Sequence, residues 1–259
     1  MDLDLKNKII IVTGGSKGIG LGITKQLAAE GAIPFIVGRN RKSIDEVLET
    51  FKKQNITVGH AIAELTDPIQ CQQAVSKAIQ DFGAIDGLVN NAGVNDNVGL
   101  EKGSYNDFIK SIHRNLVHYY LMAHHALPSL KKSKGAIVNI GSKVADTGQG
   151  NTSGYAASNG GRNALTREWA VELLPYSIRV NTVVIAECYT PLYQEWIQSF
   201  PDPKTQLKKI EDKIPLEKRM TTTAEIAAMV TFLLSQRSSH TTGQLVYVDG
   251  GYTHLDRQL

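Results

Sequence analysis

Short runs of apolar, mostly β-branched residues alternate with longer amphipathic segments along this chain. A short apolar run is typical of a strand buried on both faces, whereas the segments between these runs have the spacing of helices. Strands that alternate with helices predict an α/β fold with a parallel sheet covered on both faces. The predicted strands are Ile9–Val12, Ile33–Val37, Thr57–Ala61, Gly87–Val89, Ala136–Ile140, Arg179–Val184 and Leu245–Val248.

No segment of the chain has the composition of a linker between two domains. Residues 1–259 are therefore predicted to form one doubly wound domain around a sheet of about seven parallel strands. From Pro191 to Arg219 the alternation breaks into a charged segment punctuated by proline. An insertion of this kind is more typical of a lid than of a sheet, and we place a substrate lid at about residues 187–219.

Composition and charge narrow the function classes. The chain has 259 residues, 42% of them hydrophobic, which is enough for a sizeable core. A net charge of +3 without a basic stripe makes nucleic acid a poor candidate partner. Two dispersed cysteines, Cys71 and Cys188, favour neither a disulfide framework nor a metal site. The charged start MDLDLKNK and the shortness of every apolar run favour a cytoplasmic protein outside the membrane.

A glycine-rich turn joins the first predicted strand to a helix. The sequence IIIVTGGSKGIG, residues 9–20, contains Gly14, Gly18 and Gly20, which permit unusual backbone angles and close approach of a ligand. The helix that follows offers free N–H groups to a pyrophosphate. A tight turn without a ligand is the alternative, but the position between a strand and a helix favours a dinucleotide site of the Rossmann type.

Several motifs together resemble the short-chain dehydrogenase/reductase family. The turn Thr13–Gly20 is similar to that family's Thr-Gly-x-x-x-Gly-x-Gly motif, and Asn90–Gly93 reads NNAG, like its Asn-Asn-Ala-Gly signature. Asn115 matches the family's structural asparagine, and Ser142 precedes Tyr155 by the thirteen residues usual in the family. The resemblance covers nearly the whole chain and implies a Rossmann-fold oxidoreductase that uses a nicotinamide cofactor.

The charges near the implied cofactor site favour NADP(H). Where a carboxylate usually selects NAD, at the end of the second strand, this chain has Gly38 and then Arg39, and Lys17 lies in the glycine turn. Two cations suit a 2′-phosphate, but both can be solvated surface charges, and Arg39 can stack on adenine, so NAD(H) stays an alternative. The predicted cofactor contacts are Gly14, Ser16, Lys17, Gly18, Ile19, Gly20, Arg39, Glu64, Leu65, Asn91, Ala92, Gly93 and Thr190.

The resemblance implies catalytic roles for three residues. Tyr155 would be the acid/base that moves the proton of a substrate hydroxyl, Ser142 would hydrogen-bond the same oxygen, and Asn115 would hold a water in the proton path. Ordinary core hydrogen bonding of a tyrosine and a serine is the alternative. The agreement of all three with the family pattern favours the catalytic interpretation.

Asn159 departs from the family pattern, which has a lysine four residues after the tyrosine and on the same helix face. A cation there stabilises a phenolate by about 1.4–4 kcal/mol, so its loss is expected to slow proton transfer by orders of magnitude. Cofactor binding is expected to suffer less, because the Asn159 amide can still hydrogen-bond a ribose hydroxyl. Lys143 is a weak candidate substitute, because in an extended chain it points away from Ser142.

A second departure lies after the sixth strand, where VVIAECYT, with Ile185 and Ala186, replaces the family's usual Pro-Gly. Thr190 remains to hydrogen-bond the carboxamide. The two departures leave three hypotheses: a dehydrogenase with reduced activity, a nucleotide-binding pseudoenzyme with a sensing or scaffold role, and a structural oligomer that binds no nucleotide. The intact glycine turn argues against the third.

The substrate side resembles a sugar-oxidising branch of the family, the bacterial L-fucose dehydrogenases. The resemblance rests on GVNDNVG, TGQGNTSGY, AECYTPLYQEW and the tail VDGGYTHLDRQL, and it implies oxidation of an aldose to a lactone. Amides and carboxylates suit the recognition of sugar hydroxyls, although each can equally be a solvated loop residue. The candidates are Asn95, Asp96, Gln149, Asn151 and Glu187.

The family commonly forms homotetramers through the tyrosine helix, the long helix near Tyr105–Leu130 and the last strand. Small residues around Tyr155, such as Gly160 and Gly161, permit close backbone approach. A homotetramer is therefore expected here. The tail residues His254, Asp256 and Arg257 are candidates for contact with a neighbouring subunit, with a frayed terminus as the alternative.

Overall fold

A parallel sheet of seven strands forms the centre of the computed structural model, which describes residues 2–255. The strand order is β3-β2-β1-β4-β5-β6-β7, and every neighbouring pair is parallel. The predicted α/β doubly wound domain is confirmed. The strands are β1 (Ile9–Thr13), β2 (Ile33–Gly38), β3 (Gly59–Ile62), β4 (Gly87–Asn90), β5 (Ala136–Ser142), β6 (Arg179–Ile185) and β7 (Leu245–Val248).

Helices cover both faces of this sheet. They are α1 (Gly18–Ala29), α2 (Arg41–Lys53), α3 (Pro68–Phe82), α4 (Tyr105–Ile112), α5 (His118–Ser133), α6 (Val144–Thr147), α7 (Ser153–Glu172), α8 (Pro191–Gln198), α9 (Pro203–Glu211) and α10 (Thr223–Leu234). A π-helical turn, His113–Val117, joins α4 to α5. None of these helices is both long and apolar enough to cross a membrane, within residues 2–255.

The alternation of side chains along the strands divides the core into layers. Ile11 of β1 packs with Tyr119 and Met122 of α5, in the layer that also contains α3 and α7. Its neighbours Ile10 and Val12 belong to the opposite layer, with side chains from α1 and α10. Both faces of the strand are buried, which explains why its sequence is apolar throughout.

The strand order reverses between β1 and β4, because the chain winds outward from these central strands in opposite directions. In open α/β sheets, ligands bind in the crevice at the carboxyl ends of the strands beside such a switch point. The glycine turn after β1 and the NNAG segment at the end of β4 both lie there.

Strand bounds differ from the predictions at several ends. β3 begins at Gly59 rather than Thr57, where the chain first pairs with Phe35 of β2. A Cβ at Gly59 would lie 2.4 Å from the rings of Phe35 and Phe82, so only glycine fits this start. Pro34 is accommodated in β2 because it precedes the first residue paired with β3. β5 and β6 run one or two residues further than predicted.

The predicted lid segment contains two short helices, α8 and α9, and backbone contacts join its two ends. Cys188 and Thr221 form an isolated parallel bridge, and the N–H of Thr221 donates to the carbonyl of Glu187 at 3.0 Å. Leu216 donates its N–H to Gly250 at 3.0 Å, which ties the segment to the chain after β7. The role of this segment as a substrate lid stays a prediction.

Candidate active site

The glycine turn has the geometry of a dinucleotide cradle. Gly14 and Gly18 have φ values of +67° and +52°, in the left-handed region that favours glycine. A Cβ at Gly20 would lie 2.2 Å from the carbonyl oxygen of Gly14, so the turn and the start of α1 pack backbone against backbone. Close backbone packing of this kind lets a ligand approach the backbone N–H groups of such a turn.

The start of α1 fits a pyrophosphate group. Lys17 occupies the N-cap position, but no side chain caps this end and no acidic residue lies in the first turn. The N–H groups of the first turn, which includes Ile19, therefore keep their capacity to bind an anion. Ser16 lies just before this helix, with its Oγ 3.0 Å from the Oγ of Ser43.

Thr13 fixes the NNAG segment to the glycine turn. Its hydroxyl accepts hydrogen bonds from the N–H groups of Asn91 at 2.9 Å and Ala92 at 3.1 Å, and the Asn91 amide donates to the Thr13 carbonyl at 2.8 Å. The side chain of Asn91 therefore holds the crevice together. Gly93 follows at its exposed edge.

The predicted adenosine contacts lie at the ends of β2 and β3. Arg39 is exposed and pairs with Glu64 at 3.1 Å. Burial alone would raise the pKa of Glu64, but hydrogen bonds from Arg39 and Thr66 lower it, so the carboxylate stays charged. The side chain of Leu65 is part of the core, which leaves only its backbone for a cofactor contact.

Thr190 lies beside the glycine turn at the start of the lid segment. Its hydroxyl caps α8 by accepting from the N–H of Tyr193 at 3.3 Å. A Cβ at Gly18 would lie 3.4 Å from the Thr190 side chain. Upstream, Ile185 continues β6 and accepts a hydrogen bond from the N–H of Lys143 at 2.8 Å, so the strand extends where the family commonly breaks it with Pro-Gly.

Asn115 is fully buried in the π-helical turn between α4 and α5. Its amide oxygen accepts from the N–H of Val94 at 2.8 Å, and its amide nitrogen donates to the carbonyl of Ser111 at 3.1 Å. The side chain therefore links the NNAG loop to the widened turn. Turns of this kind are frequent at functional sites.

Ser142 and Tyr155 lie at the two ends of the connection between β5 and α7. Ser142 is the last residue of β5, and Tyr155 is half-buried in the first turn of α7. Asn139 of β5 donates to the hydroxyl of Thr166 at 2.8 Å, and Thr166 lies 2.6 Å from the hydroxyl of Thr182 in β6. These bonds fix the tyrosine helix against the strand that positions the serine.

The side chain of Asn159 is turned inward rather than toward the site. It is fully buried, its amide nitrogen donates to the Tyr155 carbonyl at 2.8 Å, and its amide oxygen accepts from Arg162 at 3.0 Å. The expected bond to a ribose hydroxyl is therefore not available in this arrangement.

Lys143 forms a buried ion pair that sequence reasoning did not anticipate. Its backbone is helical rather than extended, with φ −47° and ψ −27°, because β5 ends one residue earlier. Its ammonium pairs with the Glu187 carboxylate and lies 3.7 Å from the centroid of the Tyr252 ring. The Tyr193 hydroxyl is buried beside the same carboxylate, and burial followed by the charge of Glu187 raises the pKa of Tyr193. In this Lys143–Glu187 cluster, Lys143 is the residue directly after Ser142 in the sequence.

The other predicted substrate residues lie on surrounding loops. Gln149 and Asn151 are exposed between α6 and α7, and Asn151 has a positive φ of 55°. Asn95 accepts from the N–H of Asn97 at 3.3 Å, so its side chain shapes its own loop. Asp96 is half-buried and accepts from the hydroxyl of Ser111 at 2.8 Å. Of the predicted set, Glu187 alone belongs to the Lys143–Glu187 cluster.

Three residues of the site were missed by sequence reasoning. Tyr193 and Tyr252 approach the cluster from the lid segment and from the turn after β7, and no local pattern signals that meeting. Arg162 stands seven residues after Tyr155, which is a helical repeat and was a readable signal. Of the tail residues, His254 packs its ring 4.3 Å from that of Tyr247, whereas Asp256 and Arg257 lie outside the described residues.

Comparisons with known proteins agree with this geometry. A family model described as enoyl-(acyl carrier protein) reductase matches residues 14–253. The chain belongs to the short-chain dehydrogenase/reductase family of oxidoreductases, which use NAD(P)(H).

Individual relatives cover nearly the whole chain but differ in their named substrates. The chain is 32% identical to the 3-oxoacyl-[acyl-carrier-protein] reductase FabG of Thermotoga maritima, over 95% of this chain and 98% of the relative. It is 33% identical to the L-fucose dehydrogenase of Bos taurus, over 94% and 88%. Among solved structures, that of the Cj0485 dehydrogenase matches with 46% identity and a TM-score of 0.95, over 100% of this chain and 99% of that chain.

Proposed function

We propose that this chain is an NADP(H)-dependent dehydrogenase that oxidises the anomeric hydroxyl of an L-fucose-like aldose to the lactone, with NAD(H) as the alternative cofactor. The observation that carries the choice of a sugar is the Lys143–Glu187 cluster, whose Lys143 is the residue after Ser142 in the sequence. A charged pair of low exposure suits the hydroxyl groups of a sugar, whereas the mostly apolar surface of an acyl chain or steroid has few hydrogen-bonding groups to offer it.

The relatives support this choice only in part. The L-fucose dehydrogenase of Bos taurus and FabG are nearly equally similar to the chain, at 33% and 32% identity. Similarity alone therefore does not choose between a sugar and an acyl substrate. The chemistry of the cluster favours the sugar, as did the resemblance to the bacterial L-fucose dehydrogenases.

The proposed reaction assigns one task to each side chain. A bound nicotinamide supplies the hydride acceptor. Ser142 donates a hydrogen bond to the substrate hydroxyl oxygen and fixes its orientation. Tyr155 accepts the hydroxyl proton as the carbon–oxygen bond becomes the lactone carbonyl. Asn115 keeps the π-helical turn and the NNAG loop in place around them.

The preference for NADP(H) rests on Arg39 and on the absence of an acid at Gly38. Glu64 holds Arg39 by one nitrogen, which leaves other donors of the guanidinium for a 2′-phosphate. We expect Arg39→Asp to lower kcat/KM for NADP by about 10- to 100-fold and to leave NAD unaffected. Lys53→Asp, the same charge change at the far end of α2, is the control. An unchanged ratio of NADP to NAD in Arg39→Asp would contradict the argument from charge.

The reduction in activity expected from Asn159 stays a prediction. Asn159→Lys tests this expectation. Its effect on activity also depends on the buried Arg162, which donates a hydrogen bond to Asn159. A cofactor-binding pseudoenzyme with a sensing or scaffold role is the alternative function.

Cofactor reduction followed at 340 nm tests the proposal. The panel contains L-fucose and other aldoses, with a 3-hydroxyacyl thioester and a hydroxysteroid as controls, each with NADP and with NAD. We expect turnover with aldoses and trapping of the lactone by hydroxylamine. Turnover with the acyl or steroid substrate alone would contradict the sugar assignment. Binding of NADPH without any turnover would favour the pseudoenzyme.

We also propose that the chain acts as a cytoplasmic homotetramer. The support is a set of large apolar side chains exposed on α4, α5 and α7, the helices expected at the subunit contacts. A mass of four chains by light scattering is the expected result, and a monomer at micromolar concentration would contradict it. The exposed residues are Tyr105, Phe108, Tyr120 and Val171.

A further inference from the structure

Arg162 is a buried cation that no carboxylate pairs with in residues 2–255. It lies on α7, three residues after Asn159 and seven after Tyr155, a spacing that places all three toward one side of the helix. The residue is only 3% exposed. A buried charge without a counter-ion is costly, so its presence calls for a physical reason.

Neutral oxygens from three elements hold the guanidinium in place. Nε donates to the Asn115 carbonyl at 2.7 Å, and Nη1 donates to the Ile140 carbonyl at 3.1 Å and to Oδ1 of Asn159 at 3.0 Å. None of these acceptors carries a full negative charge. The hydrogen bonds therefore fix the position of the charge without neutralising it.

The fixed charge lies beside Tyr155. The central carbon of the guanidinium is 5.9 Å from the centroid of the Tyr155 ring and 4.3 Å from that of Tyr119. Nη2 has no hydrogen-bond partner, and a Cβ at Gly93 would lie 3.0 Å from it. The unpartnered nitrogen thus faces the NNAG loop, where the family's cofactor passes.

The other titratable groups packed around Arg162 stay neutral. Burial, followed by the charge of Arg162, lowers the pKa of His118 to about 3. Burial raises the pKa of Tyr119 to about 12, and its hydroxyl donates to the Ile140 carbonyl at 3.1 Å. Glu64 also acts on His118 but is paired with Arg39. With His118 and Tyr119 neutral, Arg162 is the charged member of this group, and its guanidinium carbon lies 5.9 Å from the centroid of the Tyr155 ring.

We propose that Arg162 supplies Tyr155 with the positive charge that Asn159 lacks, and that Asn159 and Arg162 work as a pair. This inference rests on the proposed function, in which Tyr155 accepts a proton. Arg162 acts through Tyr155 and is a positioning residue, because its charge favours the phenolate that removes the substrate proton. An arginine keeps its proton throughout the working pH range, so its effect is constant.

Asn159 is the complement that makes this arrangement workable. Its Oδ1 accepts a hydrogen bond from the guanidinium, and a lysine has no acceptor to offer in its place. A lysine at 159 would bring a second cation against Arg162 in a buried space. Asn159→Lys alone is therefore expected to disturb the site, whereas Asn159→Lys combined with Arg162→Gln keeps a single cation near Tyr155.

A spectrophotometric titration of Tyr155 tests the pair without relying on turnover. The phenolate signal of Tyr155 is the difference at 295 nm between each protein and the same protein with Tyr155→Phe. We expect Arg162→Gln to raise the midpoint pH of this signal, so that less of Tyr155 is phenolate at a given pH. Arg162→Lys and the double variant are expected to keep most of the original midpoint. Arg167→Gln, an exposed change on the same helix, is the control.

Kinetics supply the second readout. The rising limb of the pH profile of kcat for aldose oxidation should move with the titration midpoint, while KM for the cofactor changes little. A folded Arg162→Gln protein with an unchanged midpoint would overturn the proposal and leave Arg162 a purely structural group. If Arg162→Gln does not fold, the double variant decides: a midpoint close to that of the unmodified protein shows that one cation replaces the other and supports the proposal, whereas a midpoint lowered by the new lysine shows that Arg162 contributed no charge and overturns it. Lack of turnover by the unmodified protein would contradict the proposed function only, because the titration still reports on Arg162.

Discussion

Charged side chains taken almost out of water define the site at the scale of single residues. Lys143 and Glu187 are 9% and 16% exposed in their side chains, and the ammonium also lies over the Tyr252 ring. At such low exposure, removing one charge of a pair leaves the other without compensation. The cluster should therefore influence both stability and substrate affinity.

Glu187→Gln tests the cluster. We expect the free energy of unfolding to fall by about 3 kcal/mol, because Lys143 is left buried without its carboxylate. KM for the sugar should rise at the same time. Urea unfolding and initial rates measure the two effects. Asp81→Asn, which breaks the exposed Lys77–Asp81 pair, is the control and should cost less than about 0.5 kcal/mol. Equal losses in both variants would contradict the role of burial.

His118 makes the fold sensitive to acid. Its pKa is lowered from 6.5 to about 3 in the folded state, so between these values the unfolded chain binds a proton that the folded chain does not. Stability should therefore fall as the pH drops below about 6.5, by about 2 kcal/mol at pH 5 from this residue. Urea unfolding of His118→Gln should show a weaker dependence between pH 7 and pH 5. His240→Gln, at an exposed position, should keep the full dependence; identical slopes in the two variants would contradict the assignment.

The sequence predicted some of these residues and not others for physical reasons. Tyr155, Ser142 and Asn115 were predicted because they match residues of the short-chain dehydrogenase/reductase family, and their catalytic roles stay predictions. Arg162 follows Tyr155 by seven residues on the same helix, but an arginine on a helix usually extends into water, so its burial was not expected. The ion pair between Lys143 and Glu187 depends on where β5 and β6 end in space, and a local sequence pattern does not contain that information.

At the scale of elements, the turn between β1 and α1 is the most constrained segment of the site. Its glycines do different things: Gly14 and Gly18 adopt positive φ, whereas Gly20 permits contact with the Gly14 carbonyl. The π-helical turn around Asn115 adds a second constrained element, pinned by Arg162. Motif spacing predicted the first element. The π-helical turn could not be predicted, because it has no hydrophobic pattern that distinguishes it from an α-helix.

Gly20→Ala tests the importance of the turn. The new methyl group would lie 2.2 Å from the Gly14 oxygen, so the turn must shift and the pyrophosphate cradle with it. We expect NADPH affinity to fall at least tenfold, measured by nucleotide fluorescence. Gly160→Ala, on α7 with open space around its Cβ position, should leave the affinity unchanged. Normal NADPH binding by Gly20→Ala would argue against a cofactor at this turn.

At the scale of the whole molecule, the fold class followed from the sequence because parallel strands buried on both faces are apolar throughout. The strand order with its reversal between β1 and β4 then fixes where a ligand crevice must lie. The family match to residues 14–253 agrees with this architecture. Assembly and substrate could not be predicted to the same depth, because they depend on surfaces rather than on the core.

In the proposed reaction, Tyr155 accepts the substrate proton while a bound nicotinamide cofactor is reduced. The most direct test compares Tyr155→Phe with the unmodified protein in aldose oxidation at 340 nm, with NADPH binding measured in parallel and Tyr176→Phe as an exposed control. We expect Tyr155→Phe to bind NADPH normally and to lose about 10²- to 10⁴-fold in kcat, while Tyr176→Phe keeps its activity. Undiminished turnover by Tyr155→Phe would show that Tyr155 does not move the proton.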